Sequence, residues 1–179
     1  MDLRDFHKFL SPRVTVLMTV KDKHGKIDVA PMSFVMPISF NPPLLAISIG
    51  TKKHSYEALM DKKEFVLNIP TEEILEKVWI AGGKHDPEIS KIERAGLTIE
   101  PSEKVSPPRL KECPIAIECF LKDAKKYGDH VLVIGEVVGM RIRDEILDEE
   151  GFPRVDTYRN PLHIAENVFA LPYIVKRVE

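Results

Sequence analysis

Residues 13–20 alternate: Val14, Val16, Met18 and Val20 point one way, and Arg13, Thr15, Leu17 and Thr19 the other. This period of two predicts a β-strand. Lys21-Asp22-Lys23-His24-Gly25-Lys26 reads as a polar hairpin turn. The next strand is expected to run to Phe40, with Phe34, Met36, Ile38 and Phe40 on one face and Ser33, Val35, Pro37 and Ser39 on the other. Pro37 marks an edge position or a bulge, because proline cannot donate to the ladder. Asn41-Pro42-Pro43 breaks this strand, and residues 44–49 form a short apolar one.

The period then changes. A short helix is predicted from about Lys53, with Tyr56, Leu59 and Met60 on its apolar side. Residues 64–69 return to strand. Thr71 is placed to cap a helix that begins with Glu72 and Glu73, in which Ile74, Leu75, Val78 and Trp79 recur at helical spacing. Another short helix is predicted over residues 87–94, stopping at Gly96. Farther on, strands over 115–122 and 130–143 flank a hairpin loop, Lys125-Lys126-Tyr127-Gly128-Asp129. Glu136 shares a predicted face with Leu132, Ile134, Val138, Met140 and Ile142, so its carboxylate needs a partner or a barrel opening. Gly135 and Gly139 fall on the opposite face, where they permit close backbone approach.

No repeat or low-complexity tract interrupts this pattern. Fourteen prolines and nine glycines suit many short strands joined by turns. Strands and helices do not alternate regularly, which argues against a parallel doubly wound sheet. The expectation is a mainly β chain: a small closed or nearly closed antiparallel barrel with short helical excursions.

Composition narrows the function classes. A chain of 179 residues suits one domain over its whole length, and 44% apolar with 30% charged residues is a soluble globular composition. A net charge of -2 calls for neither nucleic acid nor an anionic membrane as partner. The run from Met1 to His7 lacks a signal-peptide layout, and no apolar run approaches the roughly 20 residues of a membrane helix. Cytoplasmic location is therefore expected, with Cys113 and Cys119 as free thiols.

Three segments are candidates for chemistry. In Val29-Ala30-Pro31-Met32-Ser33-Phe34 a proline and small residues interrupt a strand, freeing backbone N–H and C=O groups for a flat ligand; an ordinary β-bulge is the alternative. In Ser48-Ile49-Gly50-Thr51-Lys52-Lys53-His54-Ser55 a strand ends in small, hydroxyl and basic residues just before a helix. Free N–H groups at a helix start favour an anion such as a phosphomonoester, although a capped helix with solvated lysines has the same sequence. Gly128-Asp129-His130 sets a histidine at a strand mouth, able to hydrogen-bond or move a proton, or simply exposed. The histidines and cysteines lack metal-ligand spacing, and no GxSxG elbow marks a nucleophile.

Together these pieces resemble the flavin reductase-like FMN-binding split-barrel family. The resemblance runs through RVTVLMTV, VAPMSFVMPISFNPPLLAISIGTKKHSYEALMDKKEFVLNIP, SKIERAGLTIEPSEKV and CPIAIECFLKDAKKYGDHVLVIGEVV, and covers about residues 11–140. The tail, with Tyr158, Asn160-Pro161-Leu162-His163 and Asn167-Val168-Phe169-Ala170, is similar to the closing segment of some members. The resemblance implies an antiparallel split β-barrel and a homodimer with FMN near the subunit interface. It implies that Ala30, Pro31, Met32, Ser33 and Phe34 line the isoalloxazine ring, that Ser48, Ile49 and Gly50 run beside the ribityl chain, and that Thr51, Lys53, His54 and Ser55 surround the phosphate. His130 is then the catalytic candidate, near the flavin and nicotinamide. The implied activity is hydride transfer from NADH or NADPH to flavin N5, with the protein supplying orientation and electrostatics. The implied partners are the small-molecule nicotinamide donor and, as electron acceptor, a protein or ferric iron. The alternatives are a non-catalytic, flavoredoxin-like electron carrier and pyridoxamine phosphate oxidase-type chemistry. The latter needs a further basic cluster, for which Arg141, Arg143, Arg154 and Arg159 are available.

Overall fold

The computed structural model describes residues 2–83, 90–176 and 178. Its strands are β1 (Arg13–Val14), β2 (Val16–Lys21), β3 (Ile27–Met32), β4 (Val35–Phe40), β5 (Pro43–Gly50), β6 (Glu64–Ile69), β7 (Ile99–Glu100), β8 (Arg109–Leu110), β9 (Ile115–Tyr127), β10 (His130–Ile142), β11 (Leu162–Ala165) and β12 (Val168–Ala170). Its helices are α1 (Phe6–Phe9), α2 (His54–Lys62), α3 (Leu75–Gly82), α4 (Lys91–Arg94) and α5 (Val155–Tyr158).

Seven strands form one antiparallel sheet in the order β3-β2-β6-β9-β10-β5-β4. Its two edges, β3 and β4, are consecutive in the chain and joined only by Ser33 and Phe34. The sheet must therefore curl until its edges approach, and because they do not pair, the barrel is split. The single strand expected up to Phe40 is thus two strands on opposite edges. Proline chemistry explains the break: Pro31 and Pro37 each sit on an edge strand, where a missing N–H leaves no partner unsatisfied. The β4–β5 register also shifts between Pro37 and Ser39, so Pro37 has both the edge position and the irregularity its sequence predicts.

The alternation in β2 has a double use. Val16, Met18 and Val20 enter the barrel core with Ile47, Phe65, Leu67 and Val133. Leu17, on the other face, packs with Ile74, Val78 and Ala81 under α3 and with Leu97 and Leu110. Trp79, expected on the buried face of this helix, is 53% exposed. Thr71 holds the N-cap position of a 3-10 turn leading into α3, but its side chain makes no capping bond. Of the helix expected over 87–94, residues 87–89 lie outside the described residues; the rest is α4, with Ser90 at its N-cap.

The β9–β10 hairpin is tighter than expected. Tyr127 pairs with His130, leaving only Gly128 and Asp129 in the turn, and Gly128 takes the positive φ of 61° that such a turn needs. Glu136 lies on the outer face with Leu132 and Ile134, where its carboxylate accepts from Lys122 Nζ at 2.9 Å. The expected common face with Val138, Met140 and Ile142 is broken by a register shift between Val137 and Gly139. The carboxylate that is buried is Glu118, 2% exposed, which accepts from the backbone N–H of Glu103 at 3.0 Å and of Lys104 at 2.6 Å. Gly135 faces the core, and a Cβ there would stand 2.5 Å from Phe65 Cζ. Its close approach is therefore to this chain's own core.

The tail returns to the start of the barrel. β11 pairs with β1 and β12, and the Asn160 amide donates to Thr15 O at 3.0 Å and Pro70 O at 2.9 Å. This return sets His163 beside β3. No helix among the described residues is long and apolar enough to cross a membrane.

Candidate functional site

A cavity of about 330 Å³ opens at the split. One wall is the end of β3 and its exit: Ala30, Pro31, Met32, Ser33 and Phe34. The other is the end of β5, Ser48, Ile49 and Gly50, continuing into Lys53, His54 and Ser55 at the start of α2. The two walls meet through a hydrogen bond from Ser48 N to Phe34 O of 2.9 Å. His130, opposite Gly50 in the β10–β5 register, lines the same cavity. Three sequence segments up to a hundred residues apart thus converge because β3 is one edge of the split, while β5 lies next to the other edge, β4, and pairs with β10.

Thr51 is the exception. It does not line the cavity; its N–H and hydroxyl both donate to Asp129 O, at 3.2 and 3.3 Å, and clamp the end of β5 to the β9–β10 turn.

Other lining residues carry no local sequence signal: His7, Arg13, Gly82, Lys91 and His163. Arg13 reads as the polar face of a strand, yet its guanidinium lies 5.4 Å from the Phe34 ring centre and donates to Leu10 O and Ile164 O, both at 2.8 Å. Gly82 ends α3 directly against the wall, where a Cβ would stand 2.9 Å from Pro31 Cγ. His163 shares a hydrogen bond of 3.0 Å with Ser33 Oγ. Burial holds its pKa below the ordinary 6.5, partly opposed by its hydrogen bond with Glu166 O.

The cavity favours an anion at its α2 end. Lys53 and Lys91 supply cations, and the first turn of α2 leaves N–H groups unused by the helix. Lys91 is itself held by Asp28, a carboxylate only 6% exposed, at 2.8 Å. His54 Nδ1 lies 3.6 Å from the same carboxylate. At the other end, His130 Nδ1 bonds to Asp129 Oδ1 at 2.8 Å, and this bond is the main reason the Asp129 carboxyl lies below the usual range. With Nδ1 so engaged, Nε2 is the nitrogen on the Gly50 side. The Phe34 and His130 rings stand 6.1 Å apart.

Competing chemistries find less. Arg143 donates to Lys111 O and pairs with Glu145 at 3.7 Å, while Arg159 pairs with Glu72. Neither arginine, nor Arg141 or Arg154, lines this cavity. Both cysteines are free and buried, and burial pushes the Cys119 thiol up to about 12. Among the described residues, no group of three His, Cys, Asp or Glu is arranged to hold a metal.

The chain is similar to known proteins in sequence and fold. An uncharacterized protein of Aquifex aeolicus is 37% identical over 154 residues, covering 83% of this chain and 78% of its own length. The crystal structure of nitrilotriacetate monooxygenase component B from Bacillus cereus matches with a TM-score of 0.87 at 27% identity, over 100% of this chain and 94% of that one. The 2-nitrobenzoate 2-nitroreductase of Pseudomonas fluorescens matches with a TM-score of 0.88 at 26% identity, over 100% of this chain and 92% of that one. Residues 8–167 match the flavin reductase like domain. With its split barrel and with that match over most of its length, the chain belongs to the flavin reductase-like domain family.

Proposed function

We propose that the chain binds FMN in the cavity at the split and serves as an NADH- or NADPH-dependent flavin oxidoreductase. The observation that carries this reading is the lining of one cavity: the end of β3 with Ser33 and Phe34 at one end and a cationic helix start, with Lys53 and Lys91, at the other. The residues fit the group. Lys53, Lys91 and the first turn of α2 suit a terminal phosphate, with His54 and Ser55 beside it. Ser48, Ile49 and Gly50 offer strand backbone along a ribityl chain, and Ala30, Pro31, Met32, Ser33 and Phe34 offer a planar edge for the ring.

When bound, the flavin supplies the two-electron carrier that takes hydride from the nicotinamide. The chain's own part is positional and electrostatic. The β3 wall orients the ring, Arg13 on Phe34 closes the far side, and His130 Nε2 holds or donates a proton where charge develops. Asp129 keeps the imidazole turned so that this nitrogen stays available.

We further propose that the chain works as a homodimer in the cytoplasm, where its two buried thiols stay reduced. Met36, Ile38 and Phe40 on edge strand β4 are 56%, 40% and 96% exposed, much apolar surface for a monomer even though the register shift after Pro37 turns Phe40 to the face opposite Met36. It continues into a groove beside the site, lined by Phe6, Leu10, Phe34 and Leu132. Gly135, with its core-facing Cβ position, gives no support to the dimer.

The test is a titration of purified protein with FMN and riboflavin, followed by anaerobic addition of NADH or NADPH. The proposal expects tighter binding of FMN than of riboflavin and rapid bleaching of the visible flavin band. Equal affinity for the two flavins would remove the phosphate argument, and absent bleaching would leave an electron carrier instead.

A further inference from the structure

The direction of the hydrogen bond at Ser33 is set from the C-terminal tail. His163 stands on β11 opposite Arg13 of β1 and opposite Phe169 of β12, whose ring lies 5.2 Å from the imidazole. Both imidazole nitrogens have protein partners: Nε2 lies 3.1 Å from Glu166 O, and Nδ1 lies 3.0 Å from Ser33 Oγ. The carbonyl belongs to the β11–β12 turn, where Glu166 takes a φ of 50°. A residue with a side chain rarely adopts that left-handed backbone, and it persists only where the surroundings hold it.

These contacts leave one arrangement of hydrogens. A carbonyl oxygen only accepts, so Nε2 carries the hydrogen and donates to Glu166 O. Burial holds the His163 pKa below 6.5; the bond with Glu166 O opposes this, and the charges of Arg13 and His7 reinforce it. At neutral pH the imidazole is therefore neutral, with its single hydrogen on Nε2. Nδ1 must accept, and the Ser33 hydroxyl donates to it. A serine has one hydrogen and two acceptor lone pairs. With its hydrogen engaged by His163, Ser33 Oγ offers only lone pairs to the cavity at the split, which it lines. That cavity is otherwise rich in donors: Arg13, Lys53 and Lys91 line it, and among the described residues no carboxylate does.

We infer that Ser33 is a fixed hydrogen-bond acceptor for a ring N–H group of the bound flavin, and that His163 is the positioning residue that fixes it. The inference rests on the flavin reading of the cavity and deepens it by naming a side-chain partner. A flavin edge presents mostly acceptors, which donors serve; its N–H groups are what an acceptor in this wall can recognise. N3–H is present in both redox states and N5–H in the reduced state alone, so the two can be told apart.

The test is a double-mutant cycle with Ser33→Ala, His163→Phe and the double variant. FMN affinity is read by fluorescence for the oxidised state, and the midpoint potentials of free and bound FMN then give it for the reduced state. His163→Phe keeps a ring beside Phe169 and removes the acceptor nitrogen. Each single variant should weaken FMN binding by about two- to tenfold, the size of one modest hydrogen bond. The double variant should be no weaker than Ser33→Ala, because His163 acts through Ser33. His163→Asn keeps an acceptor oxygen at the place of Nδ1 and should restore binding. Loss in the reduced state alone, seen as a lowered midpoint potential, assigns the group to N5–H; equal loss in both states assigns it to N3–H. Nitrogen NMR of labelled histidine in FMN-free wild type at neutral pH should show His163 as the Nε2–H tautomer, and needs no variant to fold beyond the one that identifies the signal. An Nδ1–H tautomer, additive losses in the double variant, or unchanged binding in both redox states would overturn the inference. Wild type that binds no FMN at all would instead overturn the flavin reading, and this inference with it.

Discussion

Replacing Lys91 by methionine tests how the cavity keeps a cation in place. Lys91 Nζ meets Asp28 Oδ1 at 2.8 Å, and the two side chains are only 13% and 7% exposed. Methionine keeps the length of the stem and removes the charge, so Asp28 is left as a buried carboxylate. Its Oδ2 already lacks a hydrogen bond. Removing one partner of a buried pair costs about 3–5 kcal/mol, mostly from the charge left behind. For a chain of this size each kcal/mol lowers the melting temperature by about 2–4 °C, so a drop of roughly 6–20 °C is expected. The double variant Asp28→Asn, Lys91→Met removes both charges and should recover most of the loss. Calorimetric melts of wild type, both single variants and the double variant close the cycle. If Lys91→Met melts within about 2 °C of wild type, the pair is solvated and the argument from burial fails.

Four further outcomes follow from named contacts. Lys53→Ala should weaken FMN binding by about ten- to a hundredfold, the loss of one charge-assisted contact, and leave riboflavin binding nearly unchanged; fluorescence titration with both flavins checks this. His130→Ala should slow hydride transfer in anaerobic stopped-flow while FMN affinity changes little; reduction at the wild-type rate removes the role given to Nε2. Gly135→Ala puts a Cβ 2.5 Å from Phe65 Cζ and should cost about 1–3 kcal/mol in urea unfolding, less when combined with Phe65→Leu. His163 has a folded pKa lowered by burial, so the unfolded chain binds its proton more readily. Its contribution is therefore full above about 6.5 and is lost as pH falls toward the folded value, so thermal stability should be lower at about pH 5.5 than at about pH 7.5, and less steeply so in His163→Gln.

Much of the fold is legible as local pattern. Period-two alternation locates β2, the apolar run and its breakers locate β5, and residues 64–69 match β6 residue for residue. Local pattern fails where the backbone does something only its neighbours explain. The tight turn at Gly128 and Asp129 lengthens β9 into Lys125 and Lys126, polar residues that a strand tolerates because both of its faces are wet there. The shift near Gly139 undoes the face assigned to Glu136, since one extra residue inverts every side chain after it. Glu118 is missed because its partners are backbone N–H groups of Glu103 and Lys104, which carry no side-chain signature.

The site divides the same way. The interrupted strand at Pro31 and the basic helix start at Lys53 are properties of contiguous residues, and the chain alone determines them through proline's missing donor and the free N–H groups of a first turn. Their meeting is not a local property. It depends on β3 and β4 lying at opposite edges of a sheet that curls without closing, which leaves the split where those segments end. Arg13, Lys91 and His163 enter the wall only because β1, α4 and β11 pack around that split, and Thr51 is drawn out of it by the carbonyl of Asp129. Hydrophobic period and turn chemistry act over a few residues and so can be read along the chain; which edges meet is set by sheet curl and long-range packing, which only the tertiary structure decides.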